Sequence, residues 1–450
     1  MKKLIEEQFD VVVIGAGPAG MMAAIRAAQK GARVALVDKK EEPGKKLLMA
    51  GNGRCNLTQN ENNVFELCNL YKNGRFLISA FNSFRPGNVQ EFFAGNGVPT
   101  KVEKNGRVFP ASDKGEDVLN SLVKILKENG VTFLYKAHVV DFSLNDENKI
   151  VKIKLKKREL FPKSVIIATG GKSYPATGSM GDGYGWAQKM GHKIIEPMPV
   201  LVPIKTKEDW AGELQGVSAN SVSISVYQNK KKKFSDSGDL MFAHFGLSGP
   251  LALNMSRGIG KLLSQSEEDI HPHTKGDDLL HENKNNILTE KRNPSVGIKF
   301  ILDLKPYLTF EQLDEIVRTD FERNADKKLA NCLADVFSPK LLDFLLRYSG
   351  LDLEKHAAKI SRKERHLLVN LFKNLEMNFD GLFGFEKAMV TSGGVSTKEI
   401  DSKTMQSKIV KNLYFAGEVI DVDGPTGGYN LQMCWSTGFL AGESAAKTLY

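Results

Sequence analysis

Cysteine is scarce: the 450 residues contain four, Cys55, Cys68, Cys332 and Cys434. That is too few for a disulfide framework in a chain this long. No two stand as CxxC, and none joins a histidine at zinc-ligand spacing, so no metal site is expected. Long apolar runs are also missing, and with them any segment of about 20 residues that would span a bilayer. Lys2 and Lys3 precede the apolar stretch Val11–Ile14, as in a leader, but Glu6, Glu7 and Asp10 intervene. Gly15-Ala16-Gly17-Pro18 then ends the run at once, which suits a strand feeding a turn; a cytoplasmic location without membrane contact is the default expectation. Charge of one sign is not dominant: 62 Lys+Arg against 53 Asp+Glu leave +9. That balance suits anionic ligands or nucleic acid, and equally a solvated lysine-rich surface. Hydrophobic residues make up 41%, enough for real cores, and the length suggests about two to four domains.

What is present begins with a βαβ unit. Phe9–Ile14 reads as a buried parallel strand, Met21–Gln29 as an alanine-rich helix, and Arg33–Val37 as a second buried strand closing on Asp38. Between the first strand and the helix stands Gly15-Ala16-Gly17-Pro18-Ala19-Gly20. Gly15 permits the turn, Gly17 lets a pyrophosphate approach the backbone, and Gly20 lets helix and strand close up. The helix N-terminus offers free N–H groups to phosphate, and Pro18 is tolerated in a first turn. Asp38 sits where an acid takes a ribose hydroxyl pair, with Lys39 beside it, and disfavours a 2′-phosphate. FAD or NAD fits better than NADP.

A second half of the site lies at the far end of the chain. Asn412–Ala416 reads as a strand leading into Gly417-Glu418, and Leu431–Lys447 as a helix rich in small residues. Between them, Gly427 and Gly428, followed by Tyr429, Asn430 and Leu431, open a second helix N-terminus that would face a flavin ring or pyrophosphate. A strand Ser164–Ala168 runs into Thr169-Gly170-Gly171, a third glycine turn after a buried strand. Two distant motifs favour FAD over NAD. Leu413–Glu418 resembles the late strand of FAD enzymes of the glutathione-reductase type, which implies Glu418 toward the ribityl–phosphate region. The CxxxxC pair of disulfide-reducing flavoenzymes is absent.

The segment 45–58, KKLLMAGNGRCNLT, resembles the KLLxSGxGRCNxTN signature of the bacterial NAD(P)/FAD-dependent oxidoreductases of the BaiN/RdsA type, which include aminoacetone oxidase-like proteins. Gly106–Pro110, Gly170–Gly183, Phe242–Pro250, Val390–Ile400 and Leu413–Asn430 are similar to the same family. Ala50 replaces the expected serine, and Gln59 stands where Asn is usual. The resemblance implies an α/β architecture: an FAD-binding Rossmann-like domain over residues 1–195 and 393–450, an inserted β-barrel-like domain over 196–308 and 376–392, and a small helical domain over 309–375. Local patterns agree. Ser221–Tyr227 alternates as a half-buried strand, with a lysine-rich hairpin tip at 229–233. Gly297–Leu304 is a further strand. Thr309, Ser338 and Ser361 read as helix starts, and strands return around Gly381–Val390. A strand is also expected over Val131–Val140. The polar stretch Ser264–Ser295, with His271, His273 and His281, reads as a loop.

By the same resemblance, Gly15–Gly20 hold the pyrophosphate, Asp38 the adenosine ribose, and Lys45, Lys46 and Leu47 the phosphate and ribose side. Gly53, Arg54, Cys55 and Asn56 lie against the isoalloxazine together with Gly428–Leu431, and Ala168, Thr169 and Gly170 pass the cofactor. The Val139 backbone pairs with adenine. Arg54 is a candidate for stabilising reduced flavin or binding a substrate carbonyl, or else a structural arginine pairing with Glu418. Cys55 is a proton donor, a redox thiol or simply a packed residue. His244 is a candidate general acid or base, or a core histidine; Tyr174 and Arg107 are weaker cleft candidates. The leading reading is hydride transfer from NAD(P)H through FAD to an activated C=C or C=N bond of a small molecule. With no second GxGxxG unit, nicotinamide would bind only transiently. Three alternatives stay open: an amine oxidase using O₂, reduction of uridine in ribosomal RNA, and a non-enzymatic flavin protein.

Overall fold

The computed structural model describes residues 5–270 and 297–447. His271, His273 and His281 lie outside them, as does most of the predicted polar loop. The described chain divides into two compact units, one of residues 1–199 and 385–450 and the other of residues 200–384.

Unit 1 opens on β1 (Ile5–Ile14), α1 (Pro18–Gln29) and β2 (Val34–Val37). The helix starts three residues earlier than its alanine-rich body suggests, because Pro18 occupies the first turn, where no N–H bond is lost. A small antiparallel sheet follows, β3 (Thr58–Gln59), β4 (Thr100–Val102) and β5 (Arg107–Pro110), in the order β3-β5-β4. Then come α2 (Gly115–Glu128), β6 (Thr132–Leu134), β7 (Val139–Leu144), β8 (Ile150–Leu155) and β9 (Arg158–Ile167). The single strand expected over Val131–Val140 is therefore two. Lys136 takes a left-handed backbone (φ 53°), which ends β6 and turns the chain away from the parallel sheet. The main sheet runs β6-β2-β1-β9-β8-β7, with β6, β2, β1 and β9 parallel, β8 antiparallel to β9, and β7 antiparallel to β8. Central positions Val11–Val13, Val34–Val37 and Val165–Ile167 are buried, as expected of strands covered on both faces.

After α3 (Asp182–Lys189) and β10 (Ile194–Val200), the chain enters unit 2. There β11 (Ile204–Thr206), β12 (Ser218–Gln228), β13 (Lys231–Ala243), β14 (Gly246–Ser248), β15 (Ile298–Asp303) and β16 (Leu375–Leu382) close a barrel in the order β11-β14-β13-β12-β15-β16. Helix α4 (Gly249–Ile270) follows β14. Between β15 and β16 lie α5 (Phe310–Arg323), α6 (Pro339–Tyr348) and α7 (Arg362–Lys373). Thr309 and Ser361 cap their helices with full capping boxes. The hairpin tip is shorter than its lysine run: only Asn229 and Lys230 take the left-handed turn, and Lys231–Lys233 already belong to β13. Strand structure stops at Leu382 and resumes at Val390, so the stretch read as strand near Gly381 is interrupted. Among the described residues no helix is long and apolar enough to cross a membrane.

The chain returns to unit 1 through β17 (Val390–Val395), which pairs with β10, then β18 (Leu413–Phe415), parallel to β9, and α8 (Tyr429–Lys447). Helix α8 lies on α1 at backbone contact distance. A Cβ on Gly438 would stand 2.3 Å from Ala19 O, and one on Gly442 2.3 Å from Ala23 O. Small residues four apart thus join the two ends of the chain into one domain.

One buried histidine secures the return. His192 is 2% exposed and Nε2 lies 2.9 Å from Ser407 Oγ. That hydroxyl already accepts from the N–H groups of Ile409 and Val410, so its own proton goes to His192. The ring proton therefore sits on Nδ1, 3.4 Å from Glu399 Oε2. Burial holds the imidazole pKa below its usual 6.5, with Glu399 opposing only in part. Below pH 6.5 the unfolded chain binds a proton that the folded one refuses. This stability contribution is thus complete above about pH 6.5 and shrinks as pH falls toward the folded pKa. Urea midpoints at pH 7.5 and 5.5 should show the loss, and His192→Gln should flatten that part of the profile; an unchanged slope in the variant contradicts the assignment.

Candidate functional site

The glycine turn after β1 is built as its sequence demands. Gly15 has φ +107°, and a Cβ there would lie 2.4 Å from Ala168 O; a Cβ on Gly20 would lie 1.8 Å from Gly15 O. Gly17 differs: a Cβ there meets nothing within 4 Å. It is the N-cap of α1 and supplies no side-chain cap. An uncapped N-terminus facing open space suits a pyrophosphate. Asp38 braces the turn from β2, its Oδ2 accepting from Ala16 N (2.7 Å) and its Oδ1 from Lys40 N (2.7 Å). Lone pairs remain on both oxygens for ribose hydroxyls. Lys39 pairs with Asp182 at the start of α3. Ala137 N–H donates to Asp38 O (2.9 Å), which brings the start of β7, with Val139, beside the Asp38 turn. Ala168 N–H donates to Ile14 O (2.8 Å), and the buried Thr169 Oγ1 next to it has no hydrogen-bond partner.

From this turn the chain 44–58 runs to the far glycine loop. Gly44 N–H donates to Ala16 O (2.9 Å). At the other end, a Cβ on Gly428 would lie 2.5 Å from Thr58 O and 2.8 Å from Asn56 Oδ1. That Asn56 oxygen is buried and unpartnered. The first turns of α8 hold this stretch. Thr58 Oγ1 donates to Gln432 Oε1 (2.5 Å), and Trp435 Nε1 donates to Leu57 O (3.0 Å). Gly427 (φ +115°) and Gly428 (φ +96°) require a left-handed backbone. Asn430 ties its own loop, accepting from Gly424 N and donating to Gly424 O and Pro425 O. Tyr429 O accepts from the buried Tyr71 hydroxyl (2.6 Å). An open glycine backbone at an uncapped helix and orphaned buried oxygens along one track fit an extended dinucleotide.

Glu418 anchors the middle. Its Oε2 meets Lys46 Nζ at 2.6 Å, and its Oε1 accepts from Ser173 Oγ (2.8 Å) and Thr391 N (2.7 Å). Thr391 Oγ1 in turn accepts from Lys172 N and Ser173 N. Lys46, expected beside a phosphate, is thus committed to Glu418, while Lys45 is exposed and Leu47 is buried. Gly417 N–H donates to Thr437 Oγ1. Ser173 and Thr391 lie in the family-like segments 170–183 and 390–400, but nothing in those segments marks them as partners of Glu418, and Gln432 carries no motif of its own; tertiary pairing reveals all three.

Arg54 pairs with Glu103 and Asp113, not with Glu418. Cys55 is fully buried, and burial pushes its thiol up to about 12, so it stays protonated. Iodoacetamide at pH 8 should leave Cys55 unlabelled in the folded protein and label it rapidly in urea, as peptide mass mapping would show; rapid native labelling would revive a redox role. His244 is exposed in the turn between β13 and β14 of unit 2, so it is not a core histidine. Tyr174 takes a left-handed backbone (φ 51°), and Arg107 Nε is buried without a partner.

Comparison with known proteins places this geometry. The family model described as "HI0933-like protein Rossmann domain" matches residues 9–444. The chain is 30% identical to the 3-dehydro-bile acid delta(4,6)-reductase of Clostridium scindens, covering 97% of this chain and 98% of that protein. It is 29% identical to the ribosomal RNA dihydrouridine synthase of Escherichia coli, covering 98% of this chain and 100% of that protein. In fold it is similar to 3-ketosteroid delta1-dehydrogenase from Sterolibacterium denitrificans, with a TM-score of 0.51 at 12% identity over 98% of this chain and 100% of the other. The chain belongs to the HI0933-like Rossmann family and is an FAD-dependent oxidoreductase.

Proposed function

We propose that this enzyme uses NADH or NADPH to saturate a C=C bond conjugated with a carbonyl. One observation carries the reading: two relatives aligned over nearly the whole chain are named for adding two hydrogens to such a bond. One name denotes a 3-oxo steroid acid unsaturated at positions 4 and 6, the other the reduction of uridine. Bound FAD would supply the hydride to the β-carbon, and the α-carbon takes a proton. The protein's share is placement. The α1 N-terminus and the bare Gly17 backbone receive the pyrophosphate, and Asp38 the ribose. Gly53–Asn56 and Gly428–Leu431 line the ring.

The acceptor is either a free enone or a uridine in RNA. The second is favoured by the net charge of +9 and by exposed Lys230–Lys233 on the unit 2 hairpin. The test is product analysis with holoenzyme, 4-deuterated NADPH, and three acceptors: a cyclic enone, an unconjugated alkene and a uridine-containing ribosomal RNA fragment. Deuterium at the β-carbon of the enone or at C6 of uridine, with the plain alkene untouched, supports the reading. Oxidation of NADPH by O₂ alone, with all three acceptors unchanged, sinks it.

A further inference from the structure

We propose that Arg54, Glu103 and Asp113 form a positioning clamp that presets the Gly51–Cys55 loop for the flavin. The inference rests on the FAD reading above. The loop is conformationally demanding: Gly51 (φ 60°), Asn52 (57°), Gly53 (85°) and Cys55 (60°) are all left-handed. For non-glycine residues such a backbone persists only when the surroundings over-determine it. Four contacts do so. Arg54 Nε and Nη2 donate to Asp113 Oδ1 at 2.8 and 2.6 Å, and Nη2 also meets the Glu103 carboxylate. The guanidinium carbon stands 4.0 Å over the Phe109 ring centroid. Gly115 N–H donates to Gly53 O at 2.8 Å.

The second turn is secured with the first. Asp113 is itself left-handed (φ 59°), and its Oδ2 takes Lys101 Nζ at 2.5 Å. Lys101 and Arg54 hold its carboxyl below the ordinary range. The clamp thus joins β4, β5 and the approach to α2 to the midpoint of the 44–58 track, whose ends touch Ala16 and Gly428. The participating side chains are 28–41% exposed. Single ion pairs at that exposure add little to global stability. What a planar, ring-stacked arginine bridging two carboxylates contributes is geometry. Arg54 therefore acts through the loop and is a positioning residue.

The test uses full-length protein, stripped of flavin and titrated with FAD, as wild type, Arg54→Lys, Arg54→Ala and Asp113→Asn. Melting temperature, FAD Kd and flavin midpoint potential are read for each. Wild type should bind FAD. Arg54→Ala should raise the Kd about tenfold and shift the midpoint potential, with melting of the flavin-free protein nearly unchanged. Arg54→Lys should fall between, since an ammonium cannot span both carboxylates. Asp113→Asn keeps the shape and should show a smaller shift of the same sign, so the clamp stays testable if Arg54→Ala misfolds. Wild-type Kd and potential in Arg54→Ala, or in a folded Asp113→Asn should the alanine variant misfold, overturn the clamp alone. Wild type that binds no FAD overturns the cofactor reading and the clamp with it.

Discussion

Gly17→Ala should leave the protein folded and raise the FAD Kd by about 10–100-fold, while Gly20→Ala, three residues on, should fail to fold. The two glycines share a motif but answer to different neighbours. At Gly20 a methyl would sit 1.8 Å from Gly15 O, a backbone atom that cannot move without separating α1 from β1. Such a clash exceeds the ~1–3 kcal/mol usual for overpacking. At Gly17 the methyl meets no protein atom within 4 Å, and φ is −85°, which alanine adopts freely. The cost to the fold is that of a poorer N-cap, under about 1 kcal/mol. The methyl instead fills the space through which a pyrophosphate reaches the N–H groups of α1. Circular dichroism melts with FAD titration separate the two effects. A Gly17→Ala protein with wild-type affinity would mean that the dinucleotide lies elsewhere.

Glu418→Ala should destabilise unit 1 by about 2–4 kcal/mol and strip the protein of flavin during purification. The carboxylate is 11% exposed and the Lys46 ammonium 24%. Removing the acid leaves that ammonium poorly solvated and takes the acceptor from Ser173 Oγ and Thr391 N. It also loosens the packing at Gly171, where an added Cβ would stand 2.4 Å from Thr391 Oγ1 and 2.8 Å from Glu418 Oε1. Glu418→Gln keeps an acceptor for those two donors and should lose roughly half as much. Lys46→Met combined with Glu418→Leu should be less destabilised than Glu418→Ala, because no buried charge is left unpaired. Urea unfolding of the wild type, of these three variants and of the single changes Lys46→Met and Glu418→Leu measures this. Additive losses in the double variant would deny the coupling.

These effects show what was legible in the chain. The first βαβ unit was readable because turn, helix and strand are contiguous, and each glycine answers to a neighbour a few residues away. The return of the C-terminus was readable from a second glycine loop followed by a helix. That Gly438 and Gly442 are the seam against α1 was not, since small residues four apart fit many packings. The break between β6 and β7 was hidden because Lys136 carries no glycine or proline to announce a left-handed turn. The partners of Arg54 stand 49 and 59 residues away, and Thr391 is 27 residues from Glu418, across the loop that leads from β17. A polar residue paired at such separations has no local signature. Its role emerges only when the fold brings the partners together.

Nicotinamide-fed reduction of a conjugated C=C bond is read most plainly by mixing the anaerobic flavoprotein with NADPH, then NADH, and adding a cyclic enone or the RNA fragment to the reduced protein while following flavin absorbance. At least one nicotinamide should bleach the flavin, and a conjugated acceptor should restore the oxidised spectrum before any oxygen is admitted. Flavin that stays oxidised with both nicotinamides, or that recovers only when O₂ enters, would contradict the proposed reaction.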